Sequence, residues 1–86
     1  TSAKAIGSDF SNADLSDADL RYVNFSEAIL VGTDLSGAIL TSAKAIGSDF
    51  SNADLSDANL RNANFSEAIL VGTDLSYADT NGAIGI

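Results

Sequence analysis

Four aspartates recur at intervals of twenty residues in this sequence. A chain that coils once every twenty residues would place them on one face as an acidic column, with neighbouring carboxylates about 4.8 Å apart. Two such charges repel by about 0.9 kcal/mol in water, which a basic partner or a selected cation would offset. Alternatively, each carboxylate accepts hydrogen bonds from nearby turn amides. The candidate partner-facing residues are Asp14, Asp34, Asp54 and Asp74.

The sequence gives little support to catalysis. It contains no histidine and no cysteine, so the commonest general base, the commonest metal ligand and the strongest nucleophile are missing. Its many serines have no neighbour that could act as their base at neutral pH without a strongly shifted pKa. We therefore predict that the chain is not an enzyme and has no catalytic residues, no cofactor and no metal site.

The net charge and the hydropathy of the sequence indicate which kinds of partner it disfavours. The net charge of −8 arises from 12 acidic and 4 basic residues, and a surface of this sign repels nucleic-acid phosphates. The acidity serves either solubility or mimicry of a polyanion. No apolar run reaches the roughly 18 residues that span a bilayer, and no signal peptide is visible. We expect a soluble protein that binds neither nucleic acid nor membrane directly, in the cytoplasm or, if processed, in the thylakoid lumen or periplasm.

The chain is a tandem repeat. Residues 1–40 and 41–80 align without a gap, and thirty-four of the forty positions are identical. The differences fall at positions 19/59, 22/62, 23/63, 37/77, 39/79 and 40/80. Copies this similar indicate either a recent duplication or a designed repeat. We predict one domain over residues 1–86, made of the two copies 1–40 and 41–80, with residues 81–86 as a loose C-terminal end.

A shorter period of five lies inside each copy. Almost every fifth residue is large and apolar, and the residue two positions earlier is small. An α-helix would spiral these positions around all its faces, and a plain strand would alternate them between two sides. A short extended piece followed by a corner places both residues inward. The predicted structural core is Phe10, Leu15, Leu20, Phe25, Leu30, Leu35, Leu40, Phe50, Leu55, Leu60, Phe65, Leu70 and Leu75.

The repeat length predicts four corners per coil. Forty residues divide into two coils of twenty but not into coils of fifteen. Coils of twenty also stack Ala5, Phe25, Ala45 and Phe65 in one column, so that each ring lies over a methyl group, as dense packing requires. Gly and Asn at several corners tolerate the backbone angles of a turn.

The five-residue units resemble a known family. Segments such as Ala13-Asp14-Leu15-Ser16-Asp17 and Ala58-Asn59-Leu60-Arg61-Asn62 are similar to the A-(D/N)-L-x-x signature of pentapeptide-repeat proteins, in register over nearly the whole chain. The resemblance implies an all-β solenoid, a right-handed quadrilateral parallel β-helix with about four coils, and no shared enzymatic activity. Some members of the family mimic DNA and protect DNA gyrase, and members of this type typically dimerise through a C-terminal helix. This sequence has no helix-length pattern after Ala78.

These observations lead to two main functional hypotheses. The first is a non-catalytic structural or protein-interaction module, and the alternative is a DNA mimic that binds gyrase or another topoisomerase through its acidic surface. A receptor-like surface for a protein or small ligand is a third. An uncapped β-helix edge is a pairing site, so the expected partner is the chain itself through end-to-end coil stacking, or a neighbouring domain. Ile84 and Ile86 are expected to fold over the last coil as a weak cap.

Overall fold

The structure, a computed structural model, describes residues 4–86. The chain winds into a right-handed quadrilateral β-helix, as predicted, with parallel bridges between each paired residue and the residue twenty positions later. Each strand is reduced to a single bridged residue, and these residues recur every five positions from Lys4 to Ile84. We call residues 4–20 coil 1, 21–40 coil 2, 41–60 coil 3 and 61–80 coil 4. The molecule measures 25 × 22 × 22 Å.

The corners are tight turns with one left-handed residue. Every fifth residue from Gly7 to Gly82 has a φ between 58° and 77°, the value that a type II turn requires at its third position. At one corner the amide of Ala13 donates to the carbonyl of Phe10 at 2.9 Å, which closes the turn. Ten of these residues are not glycine, and they include Tyr22 and Glu27. The sequence predicted glycine and asparagine at corners and did not identify these less suited side chains as left-handed.

Neighbouring coils are joined through their backbones. The amide of Leu35 donates to the carbonyl of Asp54 at 2.7 Å, and the amide of Asp54 donates back to the carbonyl of Thr33 at 2.9 Å. At the corner, the amide of Gly37 donates to the carbonyl of Ser56 at 2.9 Å. The same three bonds recur along the tube. This use of backbone amides explains why a sequence without proline suits the fold.

The core is a filled column inside the tube. In coils 2 and 3 the large inward residues are at most 1% exposed. In coils 1 and 4, where residues 4–86 provide no complete further coil, Phe65 is also 1% exposed but the other large apolar residues are half-buried. Thr33 and Ser48 are also buried, and their hydroxyls donate to the carbonyls of Phe10 at 2.8 Å and Ala45 at 2.6 Å. The half-buried residues of the predicted core are Phe10, Leu15, Leu20, Leu70 and Leu75.

Residues 81–84 continue the winding over coil 4. The amide of Phe65 donates to the carbonyl of Ile84 at 2.8 Å, and Ile84 donates to Ala63 at 2.9 Å. The segment that holds Ile84 lies over the last coil, as expected, but the side chains of Ile84 and Ile86 are 58% and 46% exposed and do not cap the core. The chain leaves the regular path at Gly85, whose φ is 87°.

Candidate functional site

The residues between the two inward positions face outward and form one column on each wall of the tube. We number the walls by their first bridged residue: Lys4 for wall 1, Asp9 for wall 2, Asp14 for wall 3 and Asp19 for wall 4. Wall 3 carries an aspartate in every coil, and consecutive members are bridged to each other. The column consists of the four candidate residues, Asp14, Asp34, Asp54 and Asp74.

Each wall 3 aspartate is held by the serine that starts the next corner. Asp14 Oδ1 accepts hydrogen bonds from the Ser16 amide at 3.0 Å and from the Ser16 hydroxyl at 2.6 Å. The same pair of bonds fixes Asp34 to Ser36, and their counterparts recur in coils 3 and 4. An aspartate or asparagine two residues before a turn amide satisfies that amide, which is the usual role of these side chains in turns. The column therefore has a structural role in every coil.

In coils 1 and 4 these bonds also favour the charged form of the wall 3 carboxylate. The Ser16 hydroxyl, followed by the Ser16 amide, lowers the pKa of Asp14 below its usual value, because hydrogen bonds to a carboxylate stabilise the ionised state. Ser76 lowers the pKa of Asp74 in the same way. On wall 2, Asp9 and Asp49 have lowered pKa values for the same reason.

The second oxygen of each wall 3 carboxylate takes no part in the turn. Residues 4–86 provide no hydrogen bond to Oδ2 of Asp14, Asp34, Asp54 or Asp74. Wall 3 therefore presents a row of charged acceptors, one per coil, at the spacing of the β-helix. Such a row can receive hydrogen bonds from lysine or arginine side chains of a partner.

The described part of the chain offers no other kind of site. No cavity is found in it, and its acidic residues do not gather in groups that would hold a metal ion. Residues 4–86 also contain no helix with the length and apolar character needed to cross a membrane. Any contact with a partner in this region has to use the outer walls or the ends of the tube.

The basic residues lie opposite the acidic column, a feature that the sequence reading missed. Lys4 and Lys44 are exposed on wall 1, and Arg21 and Arg61 begin the corners that precede this wall. Arg21 pairs with Asp19 at 2.8 Å, and Arg61 lies 3.8 Å from Asp79. Walls 1 and 3 are opposite sides of the square. Sorting the four cations by the twenty-residue period would have revealed this separation of charge.

Within residues 4–86, polar side chains interrupt the column of exposed apolar residues that begins at Ile6. Ile6 is 54% exposed, but along the same corner serines at positions 26 and 66 separate it from Ile46 and Ile86. Val71 and Tyr77 are 71% and 90% exposed at other corners of coil 4. Isolated exposed apolar residues are normal on a soluble surface.

Known proteins with this fold are found by both sequence and structure. A family model described as pentapeptide repeats matches residues 1–30, 18–57 and 48–84. A search of curated protein sequences finds no match.

Solved structures show the same architecture. A pentapeptide repeat protein of the Arabidopsis thaliana thylakoid lumen is 37% identical with a TM-score of 0.90, and the match covers 92% of this chain and 55% of that one. HetL, involved in heterocyst differentiation regulation in the cyanobacterium Nostoc, is 34% identical with a TM-score of 0.69, covering 93% of this chain and 39% of its own.

A trypsin-treated form of QnrB1, a plasmid-mediated fluoroquinolone resistance protein, is 25% identical with a TM-score of 0.57 and is matched over 47% of its length and 87% of this chain. Proteins of this kind are generally non-catalytic, and some act as structural or interaction modules. The five-residue period, the twenty-residue coil and the family match agree, and the chain belongs to the pentapeptide-repeat family.

Proposed function

We propose that this chain is a non-catalytic protein-interaction module whose acidic wall 3 binds a basic segment of a partner protein. The observation that carries the proposal is the row of Oδ2 oxygens on Asp14, Asp34, Asp54 and Asp74, one per coil. Each carboxylate is fixed by its serine, so binding costs less side-chain entropy than it would for a mobile aspartate. On the opposite wall the described residues include Lys4 and Lys44 and no carboxylate, so a cationic segment is disfavoured on that side.

The chemistry of the partner follows from the wall. Donors about 4.8 Å apart would match successive coils, and guanidinium or ammonium groups form the strongest bonds to carboxylates. A segment rich in arginine or lysine therefore fits wall 3 better than a neutral or acidic one. The contact is expected to weaken as salt is raised, because exposed charges are screened.

The test is binding of an arginine-rich peptide to the full chain and to a variant with Asp14, Asp34, Asp54 and Asp74 replaced by asparagine. Asparagine keeps the Oδ1 acceptor, and Asn64 makes the same turn bonds in the native chain, so the fold is preserved. We expect this variant to lose at least about tenfold in affinity.

A matched control removes four charges away from wall 3 by replacing Asp9 and Asp49 with asparagine and Glu27 and Glu67 with glutamine. The net charge of the two variants is the same, so any general electrostatic effect is equal. If the control loses as much affinity as the wall 3 variant, the acidic column has no special role and the proposal fails.

A second candidate function is mimicry of DNA towards gyrase. The likeness to QnrB1 and the acidic wall favour it. A supercoiling assay with purified gyrase, with and without micromolar protein, tests this function directly. Inhibition or quinolone protection that disappears in the wall 3 variant supports DNA mimicry, and no effect removes it.

The ends of the tube provide a further contact in this proposal. Coil 1 has no preceding coil among residues 4–86, and its edge exposes the carbonyls of Asp9 and Asp14 without a backbone donor. We expect this edge to stack on a coil of a second copy or of a neighbouring domain. Analytical ultracentrifugation over a range of concentrations measures whether the chain self-associates.

A further inference from the structure

The contact between coils 2 and 3 shows how a coil of this sequence stacks on another. The amides of Leu30 and Leu35 donate upward to the carbonyls of Asp49 and Asp54, each at 2.7 Å. At the same level, Leu40 donates to Asn59 at 2.7 Å. The inward side chains of both coils are buried by this contact.

The two ends of the chain present nearly the same pair of surfaces. Coil 1 has the sequence of coil 3 apart from position 19/59 over its described residues, and coil 4 has the sequence of coil 2 apart from positions 62, 63, 77, 79 and 80. In residues 4–86 the amides of Leu70 and Leu75 make no hydrogen bond, and neither do the carbonyls of Asp9 and Asp14. These donors and acceptors are the counterparts of those that join coil 2 to coil 3.

We propose that the N-terminal end of one copy fits the C-terminal end of a second copy, in the register that joins coil 2 to coil 3, and that changes at the C-terminal end keep this head-to-tail contact weak. The proposal rests on the end-to-end contact of the proposed function. It specifies which ends meet, in which register they pair, and what keeps the contact weak. The partner is a second copy because the mating surface already exists inside the chain.

The weakening changes cluster at the last corner of coil 4. Leu40 is fully buried, but its counterpart Thr80 is exposed and has lost the inward leucine. Asp79 replaces Ile39 on wall 4 and adds a charge. Tyr77 replaces Gly37 and is 90% exposed. Each change removes apolar area, adds a charge or enlarges a corner where the next coil would lie.

The C-terminal segment also weakens the head-to-tail contact. Residues 81–84 pair with coil 4, in the place that the first residues of a stacked second copy would take. At Gly85 a Cβ atom would lie 2.5 Å from the Phe65 carbonyl oxygen, so the backbone here has left the regular path of a coil. One of the two segments has to leave before the ends can join.

Cysteine cross-linking tests the direction of stacking because the native chain contains no cysteine. Serines occupy one corner column at positions 16, 36, 56 and 76, and residues of adjacent coils lie about 4.8 Å apart, within the span of a disulfide. Head-to-tail stacking brings Ser16 of one copy over Ser76 of the other. The S16C/S76C variant then forms chains of linked copies, whereas S16C or S76C alone gives no dimer.

The strength of the contact is tested by adding Y77G, D79I and T80L to S16C/S76C in the full-length chain. These substitutions restore residues that already fold in coil 2. We expect linked multimers to form at a protein concentration at least about tenfold lower than without the restoration, because one buried leucine is worth that factor. The S36C/S56C variant is the positive control and forms an intramolecular disulfide.

Three outcomes overturn the inference. A folded restored variant that stays unlinked shows that the ends are not complementary, and equal linking with and without the restoration shows that the C-terminal changes do not weaken the contact. Dimers of S16C alone or of S76C alone show stacking between like ends. If the triple restoration disturbs folding, T80L alone is used, with the same expectation of stronger linking. None of these outcomes affects peptide binding by wall 3, which is measured separately.

Discussion

The ring of Phe10 meets the ring of Phe25 edge to face, with centroids 5.6 Å apart and planes at 88°. Phe50 and Phe65 repeat the contact forty residues later, at 5.2 Å and 67°. Phe10 and Phe50 follow the bridged residues of wall 2. Phe25 and Phe65 follow the bridged residues of wall 1 in the next coil. Edge-to-face pairs are worth about 0.5–1.5 kcal/mol beyond their buried area. The rings therefore join coil 1 to coil 2 and coil 3 to coil 4 across the corner.

The duplication provides matched sites for a core substitution. Phe50 is completely buried, whereas its counterpart Phe10 is half-buried at the end of the tube. We expect Phe50→Ala to reduce the free energy of unfolding by about 3–5 kcal/mol, and Phe10→Ala to cost at least about 1 kcal/mol less. Urea unfolding of the two variants measures the difference. Equal losses would mean that the ends of the tube are as well covered as its centre.

Two glycines at equivalent turn positions differ in what surrounds them. Gly7 and Gly32 have φ values of 68° and 66°, but a Cβ at Gly32 would lie 2.5 Å from Asn12 Oδ1, and a Cβ at Gly7 would meet nothing within 4 Å. Both alanine substitutions incur the left-handed strain of about 1–2 kcal/mol. We expect Gly32→Ala to lower the melting temperature more than Gly7→Ala. Adding Asn12→Ala should reduce this excess, and a double-mutant cycle without coupling would contradict the contact.

Some of the left-handed residues are suboptimal, and replacing one should stabilise the fold. Glu67 has a φ of 60° and is exposed, and Gly47 occupies the same corner one coil earlier. Glycine removes the left-handed strain but increases the entropy of the unfolded chain. We expect Glu67→Gly to raise the free energy of unfolding by about 0.5–1 kcal/mol. A lower stability measured by urea unfolding would show that the glutamate side chain makes a contact that outweighs its backbone strain.

The bond between Ser16 and Asp14 predicts a pH effect. Because the Ser16 donors lower the pKa of Asp14, the ionised carboxylate is favoured in the folded state. This contribution to stability is present above the ordinary aspartate value of about 3.9 and is lost as the pH falls through the lowered folded value. In Ser16→Ala one of the two donors is missing, so the pKa of Asp14 should rise when it is titrated by NMR. An unchanged or lower pKa would contradict the assigned cause.

The architecture could be predicted from the sequence because the inward apolar residues recur at a fixed period. The positions of Leu35 and Phe65 follow from a spacing that only a corner every five residues can accommodate, and the forty-residue copy length then favours four corners over three. The acidic column lies along one wall for the same reason. The core and the acidic column depend only on the position that each residue takes in the five-residue unit and in the twenty-residue coil. Both positions can be read from the sequence.

Features that depend on contacts between columns or on the exact backbone path were not predictable. The pairing of Phe10 with Phe25 joins two different inward columns, and the period of the sequence does not specify contacts between columns. Tyr22 and Glu27 adopt left-handed angles because the turn and inter-coil hydrogen bonds over-determine the corner, although neither residue favours them. Ile84 resembled a cap by composition, but the continuing register placed it outward.

Hydrogen-bond scalar coupling by NMR tests the twenty-residue coil most directly. In the structure the amide of Leu35 donates to the carbonyl of Asp54 at 2.7 Å. We expect a through-bond correlation from the Leu35 amide nitrogen to the Asp54 carbonyl carbon, with matching correlations along the tube. A correlation from Leu35 to the Asp49 carbonyl, as a three-sided coil of fifteen residues would give, would contradict the square tube.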